Sequence, residues 1–385
     1  MKNNNTKTLL KNVCKISKGK GLKHEKVNFT KGQNCILCGD LFTQYDTVIK
    51  NVVHKTTYND GISSKQNTVL IPGDTTTNAW DIAKAVALDE ENVLLGGSIN
   101  ILEFDEHCDN TFFAYYLSSK KRIDLAKLAI GSTVVHLHGK EIGNIEVSYP
   151  SKEMQVKIGS FFKELDELIE LYRLYMEIIL KIKESFIFNF MKSVTNTEKI
   201  QDICDNFSGK GFEKHISSFG KYKVIMLGNI SAEGDILDIQ KYVENPGNNH
   251  QLICQKGDLV MALTDKNREG NFIGKTAIIQ NDDNFVVNQR LERIVPKDKN
   301  YSMYLQEMFN SKFLHKKLVS LASGAVQLNL SFNNVKSINI PYPTTPQIKS
   351  FNDSLNTLNT ISVSLCDYIN NLTYMKKYYL NKIFN

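Results

Sequence analysis

The sequence predicts an α+β protein: two pseudo-symmetric mixed α/β globular domains separated by two long antiparallel coiled-coil helices. Three observations lead there. First, the chain repeats itself. "NVCKISKGKG" (Asn12–Gly21) matches "DICDNFSGKG" (Asp202–Gly211) at an offset of 190 residues. "LAIGS" (Leu128–Ser132) matches "LASGA" (Leu321–Ala325) and "VSYP" (Val147–Pro150) matches "IPYP" (Ile340–Pro343), both at 193. Order is kept and the drift is small, so one architecture occurs twice; a period this long is a duplicated domain, not a solenoid. Second, each half holds short β-branched runs bounded by Gly, Asp and Asn, as strands are. Third, each half ends in a long heptad pattern.

Within each half the elements follow one order. A short strand leads into a Gly-rich turn, "SKGKG" or "SGKG". Strands follow at "NTVLIPGD" in the first half and at "KVIMLGNI", "GDLVMAL" and "GKTAIIQ" in the second. A helix comes next, "TFFAYYLSSKKRIDLAKLA" or "SMYLQEMFNSKFLHKKLVSLA", ending near Gly131 or Gly324. "TVVHLH" or "VQLNL" and a final strand then lead to Tyr-Pro. The expected boundaries are 1–150 and 196–343 for the globules, and 151–195 and 344–385 for the rods.

The rods are read from their periodicity. From Met154, apolar residues recur through Ile158, Phe161, Leu165, Leu168, Tyr172, Tyr175, Ile179, Ile182, Phe186 and Phe190 in steps of three and four. No Gly or Pro lies between Ser160 and Met191. At 1.5 Å per residue the helix spans about 50–60 Å. The second rod repeats the stripe through Ile348, Phe351, Leu355, Leu358, Ile361, Leu365, Tyr368, Leu372, Met375, Tyr379 and Ile383. An isolated helix with such a stripe would leave it in water, so each rod is expected to cover the other.

Composition sets limits on function. The 385 residues are 42% hydrophobic and 23% charged, ordinary for a globular protein. No apolar run reaches a membrane span, and the N-terminus lacks a secretory signal core. Seven cysteines at irregular spacing point to reduced thiols in a cytoplasm. Net charge is +6, but residues 1–31 carry nine lysines against one acid, Glu25. Such a cluster is either a solvated face or a surface for phosphates, where it would release counterions from a polyanion.

Motifs for catalysis are weak. "GNFIGKT" (Gly270–Thr276) has its first Gly one residue late for a phosphate loop and reads as a turn feeding a strand. Cys35-x-x-Cys38 lacks a second pair of zinc ligands. His136-x-His138 has Asn329 and Ser331 at the matching places, a variation that suits hydrogen bonding to bases better than a metal, with plain exposed strand polars as the other reading. The chain contains neither N-P-P-[FY] nor an Asp/Glu-x-Lys pair, signatures of methyltransferases and many nucleases.

Taken together, "GDLVMALTDKNREGNFIGKTAII", "NQRLERIVP", "LASGAVQLNLSFNNVKSINIPYPTTPQ" and the helix opening "QVKIGSFFKELDELIELY" resemble the specificity subunit of Type I restriction-modification systems. The resemblance covers essentially the whole chain, in the duplicated order of globule and rod. It implies two target recognition domains, each reading half of an interrupted site in double-stranded DNA, in a cytoplasm of bacterial or archaeal type. It implies no catalysis on this chain. Two modification (methyltransferase) subunits, bringing S-adenosylmethionine, would dock on the helices, with restriction/translocase subunits when present. Two rival classes are a stand-alone DNA methyltransferase or nuclease with degenerate motifs, and a coiled-coil adaptor that binds no DNA.

The residues then divide by role. Lys18, Lys20, Lys23, Lys210 and Lys214 are expected at phosphates, and the glycines of both "GKG" turns could offer them N–H groups. Expected base readers are Thr75, Thr76, Thr77, Ser132 and His136 in the first half. In the second they are Lys266, Arg268, Gln289, Arg290, Gln327 and Asn329, where Arg suits guanine and Gln or Asn suits adenine. The helix interface is expected at Ile158, Phe161, Leu165, Leu168, Tyr172 and Ile179 against Phe351, Leu355, Leu358, Leu365 and Leu372.

Overall fold

Both halves build on a four-stranded antiparallel sheet with the same strand order. In the first half it runs Cys14–Lys18, Ile99–Phe104, Thr68–Pro72, Val86–Leu88. In the second it runs Cys204–Ser208, Leu291–Pro296, Leu259–Ala262, Thr276–Ile278. The computed structural model describes residues 5–247, 249–324 and 326–384. It divides into two units: the chain to Tyr175 with Leu365 onward, and Met176–Ser364.

The central strands carry unbroken apolar runs because both sheet faces are covered. Side chains alternate across a strand. Val69 and Ile71 thus enter one core, with Leu102 and Phe104. Leu70 enters another, with Ile99 and Ile101. In the second unit Leu259 and Met261 separate from Val260 and Ala262 in the same way. The first of each pair of cores also receives a helix, Asn110–Ser118 or Ser302–Asn310. The single helix expected in each half is two. Asn110–Ser118 stops before Arg122–Lys127, and Ser302–Asn310 before Lys312–Leu321. Ser311 explains the second break: it leaves helical geometry and its hydroxyl caps the N–H of Leu314 at 3.3 Å.

A two-stranded ribbon ends each globule: Thr6–Leu9 with Glu146–Tyr149, and Thr197–Lys199 with Asn339–Pro341. The long helices Lys152–Ser193 and Thr345–Phe384 follow. The repeated Gln after Tyr-Pro starts each of them. Gln155 is fully buried; its amide donates to the Pro150 carbonyl at 2.9 Å and its oxygen accepts from the Asp109 N–H at 3.0 Å. Gln347 accepts from the N–H (2.8 Å) and hydroxyl (3.0 Å) of Thr344, part of a capping box.

Within the first unit the two long helices run antiparallel. Phe161 meets Tyr379 at 5.6 Å, Asp166 pairs with Lys376 at 2.5 Å, and Tyr172 stacks on Tyr368 at 5.5 Å. Near the start of the first long helix, however, the buried side chains are Phe162, Leu165 and Ile169, while Phe161 and Leu168 are exposed. The stripe is rotated because this end packs on the globule: Phe162 lies 5.3 Å from Tyr115 and stacks on Phe384 at 5.7 Å, and Ile158 touches the core. Phe384, not Ile383, thereby closes the second stripe. In the second unit Phe351 and Leu355 are buried, and Phe351 meets Phe186 at 5.4 Å and Phe190 at 4.6 Å. Tyr172, Ile179, Leu358, Leu365 and Leu372 are half-buried. No helix among the described residues is long and apolar enough to cross a membrane.

Candidate nucleic-acid interface

In the second unit four loops meet at one edge. The turn Asn288–Gln289–Arg290 joins strands Phe285–Val287 and Leu291–Pro296. Its backbone is pinned on three sides. Asn288 N–H donates to Ile225, Gln289 N–H donates to Lys210, and the Arg290 carbonyl accepts from Leu263, all at 2.9–3.0 Å. The buried Asn288 side chain also accepts the Phe212 N–H at 3.1 Å. Thr264–Asp265 pairs with Leu328–Asn329, and the hairpin is closed by reciprocal Ser323–Asn329 bonds. Lys266, Gln289 and Arg290 therefore line one surface pocket, with Glu213 and Phe272.

Arg290 has φ +72°, in the left-handed region, where the other non-glycine residues described are all asparagines. An arginine there costs roughly 1–2 kcal/mol, and the three backbone tethers hold it. Arg268 is exposed on the loop whose N–H groups at Asn267 and Phe272 the Asp265 carboxylate holds at 2.8 and 2.7 Å. Gln327 and Asn329 bond each other, Nε2 to Oδ1 at 3.2 Å. Lys210 and Lys214 are exposed on either side of Phe212.

The first unit uses the same frame. Asp74–Thr75 pairs with Val135–His136, which places Thr75 opposite Val135 and beside His136. Bonds between Ile130 and His136 close a hairpin that carries Ser132 at its exposed tip. Gly131 must be glycine: φ is +120° and an added Cβ would lie 2.1 Å from the Val134 carbonyl oxygen. The Thr75 and Thr77 hydroxyls bond each other at 2.9 Å, leaving Thr76 and His136 as the freer polar groups. The His136 and His138 rings lie parallel, 6.2 Å apart. No group of three or more His, Cys, Asp or Glu among the described residues is placed to hold a metal. Burial pushes the Cys35 thiol up to about 11 and raises that of Cys38.

The first glycine and the lysine backbone of each "GKG" turn serve the sheets. Gly19 N–H donates to Ile99 and Gly209 N–H to Leu291, both at 2.9 Å, and the following lysines' N–H groups bond Leu95 and Val287. Those donors are spent on the sheets and cannot serve phosphates. A Cβ at Gly19 would meet the Gly96 oxygen at 2.0 Å, and one at Gly209 the Asn288 oxygen at 2.0 Å. Of the lysines, Lys18 and Lys23 are exposed, and Lys20 pairs with Asp60 at 3.4 Å between two exposed side chains, a weak tie.

These contacts fix which residues correspond. Gly96-Gly97-Ser98 in the first unit occupies the place of Asn288-Gln289-Arg290 in the second. One frame thus presents almost no side chain at the turn where the other presents an amide and a guanidinium. The sequence comparison missed this because three dissimilar residues stand opposite three others. It also missed Trp80, the chain's one tryptophan, half-exposed on the Asn78-capped turn after the threonines with the Arg122 guanidinium 4.2 Å above its ring.

The model of the Type I restriction modification DNA specificity domain matches residues 2–183 and, again, residues 193–377. The chain belongs to the Type I restriction-modification DNA specificity family. It is a specificity subunit with two target recognition domains, one per matched half. Its fold is similar to that of the S subunit of a Type I restriction-modification system from M. genitalium, with a TM-score of 0.64 and 15% identity. That likeness covers 100% of this chain and 97% of the other. A second similar chain comes from a structure of the complex assembly and conformational transition of the type I R-M system. It has a TM-score of 0.60, 10% identity and coverage of 99% and 97%. No curated protein sequence matches this specificity subunit.

Proposed function

We propose that the chain reads a bipartite, non-palindromic site in double-stranded DNA, each half with its own unit, and leaves the chemistry to other chains. One observation carries this reading: a single frame is built twice and presents unlike side chains at the same turn, Gly96–Ser98 against Asn288–Arg290. A symmetric site would call for like readers. Exposed lysines at 18, 20, 23, 210 and 214 hold phosphates and set register. Thr76, Ser132 and His136 read one half, and Lys266, Gln289 and Arg290 the other, with Arg268, Gln327 and Asn329 at its margin. Two modification subunits dock on the long helices and bring S-adenosylmethionine, which supplies the methyl group; the base is flipped into their site, not into this chain. Restriction/translocase subunits join the assembly where they are present.

In this reading the helices set the gap between half-sites. One heptad inserted into each long helix at paired positions adds about 10 Å, about three base pairs. Methylome sequencing of cells expressing the altered chain with its modification subunits should show a spacer longer by about three, with both half-sites unchanged. Changed half-sites with an unchanged spacer would count against it.

A further inference from the structure

The proposed reading surface of the second unit contains an acid. Glu213 follows the buried Phe212 in the loop after Gly209 and is itself exposed. Its Oε1 accepts from Gln289 Nε2 at 2.6 Å and from Asn288 Nδ2 at 3.2 Å. It lines the pocket with Lys266, Gln289 and Arg290. Its own backbone N–H, the two amides and the Arg290 charge hold its carboxyl below the ordinary glutamate range, so it is ionised at neutral pH.

A carboxylate facing a polyanion weakens binding through every phosphate it approaches. Phosphates offer no donor to offset this. The donors that DNA presents in the major groove are the exocyclic amino groups of cytosine and adenine. The other carboxylate at the pocket, Asp265, is already committed to its own loop's N–H groups. Glu213 retains acceptor capacity, since a carboxylate has about four lone-pair sites. Its bond also orients Gln289: a carboxylate only accepts, so the Gln289 NH2 faces Glu213 and Gln289 Oε1 is turned away from it.

The first unit supplies a comparison. Gly19 corresponds to Gly209 and the buried Leu22 to the buried Phe212, so Lys23 stands where Glu213 stands. The same frame carries opposite charges at this position, which a role in holding the frame would not require.

We infer that Glu213 is a specificity-determining residue of the second unit, accepting a hydrogen bond from a base amino group, cytosine N4 or adenine N6, at one position of its half-site. The inference rests on the DNA-reading function proposed above. The test uses the chain assembled with its modification subunits, and duplexes carrying the motif found by methylome sequencing. At each position of the second half-site, cytosine or adenine is replaced by an analogue lacking the amino group. Binding is measured for wild type, Glu213→Ala and Glu213→Gln. At one position the wild-type complex should lose about 5- to 150-fold in affinity, from the 1–3 kcal/mol of a good base contact, and the loss should vanish in Glu213→Ala. The analogue cytosine or adenine at that position names the base. Amino-group losses equal in wild type and both variants at every position would overturn the inference while leaving DNA reading intact. A wild-type complex that binds every duplex alike would overturn the reading itself.

Discussion

Phe351→Ala will destabilise the second unit by about 3–5 kcal/mol, the range for deleting a fully buried aromatic ring. The ring is wholly enclosed, with Phe186 stacked on it at 5.4 Å, Phe190 at 4.6 Å and Tyr304 edge-on at 5.4 Å. Three aromatic pairs are lost with it, each worth about 0.5–1.5 kcal/mol beyond area. Residues from the long helices and from the globule share this cluster, so neither set can close over the hole alone. Tyr368 is the control. It stacks on Tyr172 at 5.5 Å but is more than half exposed, and Tyr368→Ala should cost about 1 kcal/mol. Urea unfolding of the purified variants measures both; equal losses would contradict the assignment of Phe351 to a core.

Asp258→Ala should cost about 3–5 kcal/mol as well, for a different reason. The carboxylate is fully buried and takes Arg293 Nε at 2.7 Å and Nη2 at 2.5 Å, with Lys299 on its other oxygen. Removing it leaves the buried Arg293 with an uncompensated charge. Removing the pair together should cost less than the two single changes summed, because two apolar groups leave no buried charge. The first unit supports this: strand pairing puts Thr68 and Ile101 where the second unit has Asp258 and Arg293, and both are fully buried without an ion pair. Thermal unfolding of Asp258→Ala, Arg293→Met and the double variant checks it. Strict additivity would contradict it.

Much of this fold is legible in the sequence because the duplication preserves what the frame needs. The Gly19/Gly209 and Gly131/Gly324 positions recur because a Cβ would strike backbone there. Strands such as Thr68–Pro72 and Leu259–Ala262 show in their apolar runs because both faces are covered. Stripe residues Tyr172 and Tyr368, and Phe186 and Phe351, do meet, but near Phe161 two adjacent phenylalanines offer two registers and packing against Tyr115 selects Phe162. The break at Ser311 is invisible to periodicity, since the apolar spacing continues through it.

The candidate interface is legible only in part. Searching for basic and amide side chains finds Lys266, Gln289 and Arg290, which the fold does gather. The same search passes over Glu213, whose partners come from residues 75 and 76 positions away in the chain. The threonine row at 75–77 suggests three free hydroxyls, but two of them satisfy each other.

In the function proposed above, each unit reads its own half of the site. Methylome sequencing of cells carrying the chain and its modification subunits tests it most directly, with Gln289→Ala/Arg290→Ala in one strain and Thr76→Ala/His136→Ala in another. The expected result is a two-part methylated motif in which the first pair of changes relaxes bases in one half only, and the second pair bases in the other half only. A single uninterrupted motif, or either pair of changes altering both halves alike, would contradict it.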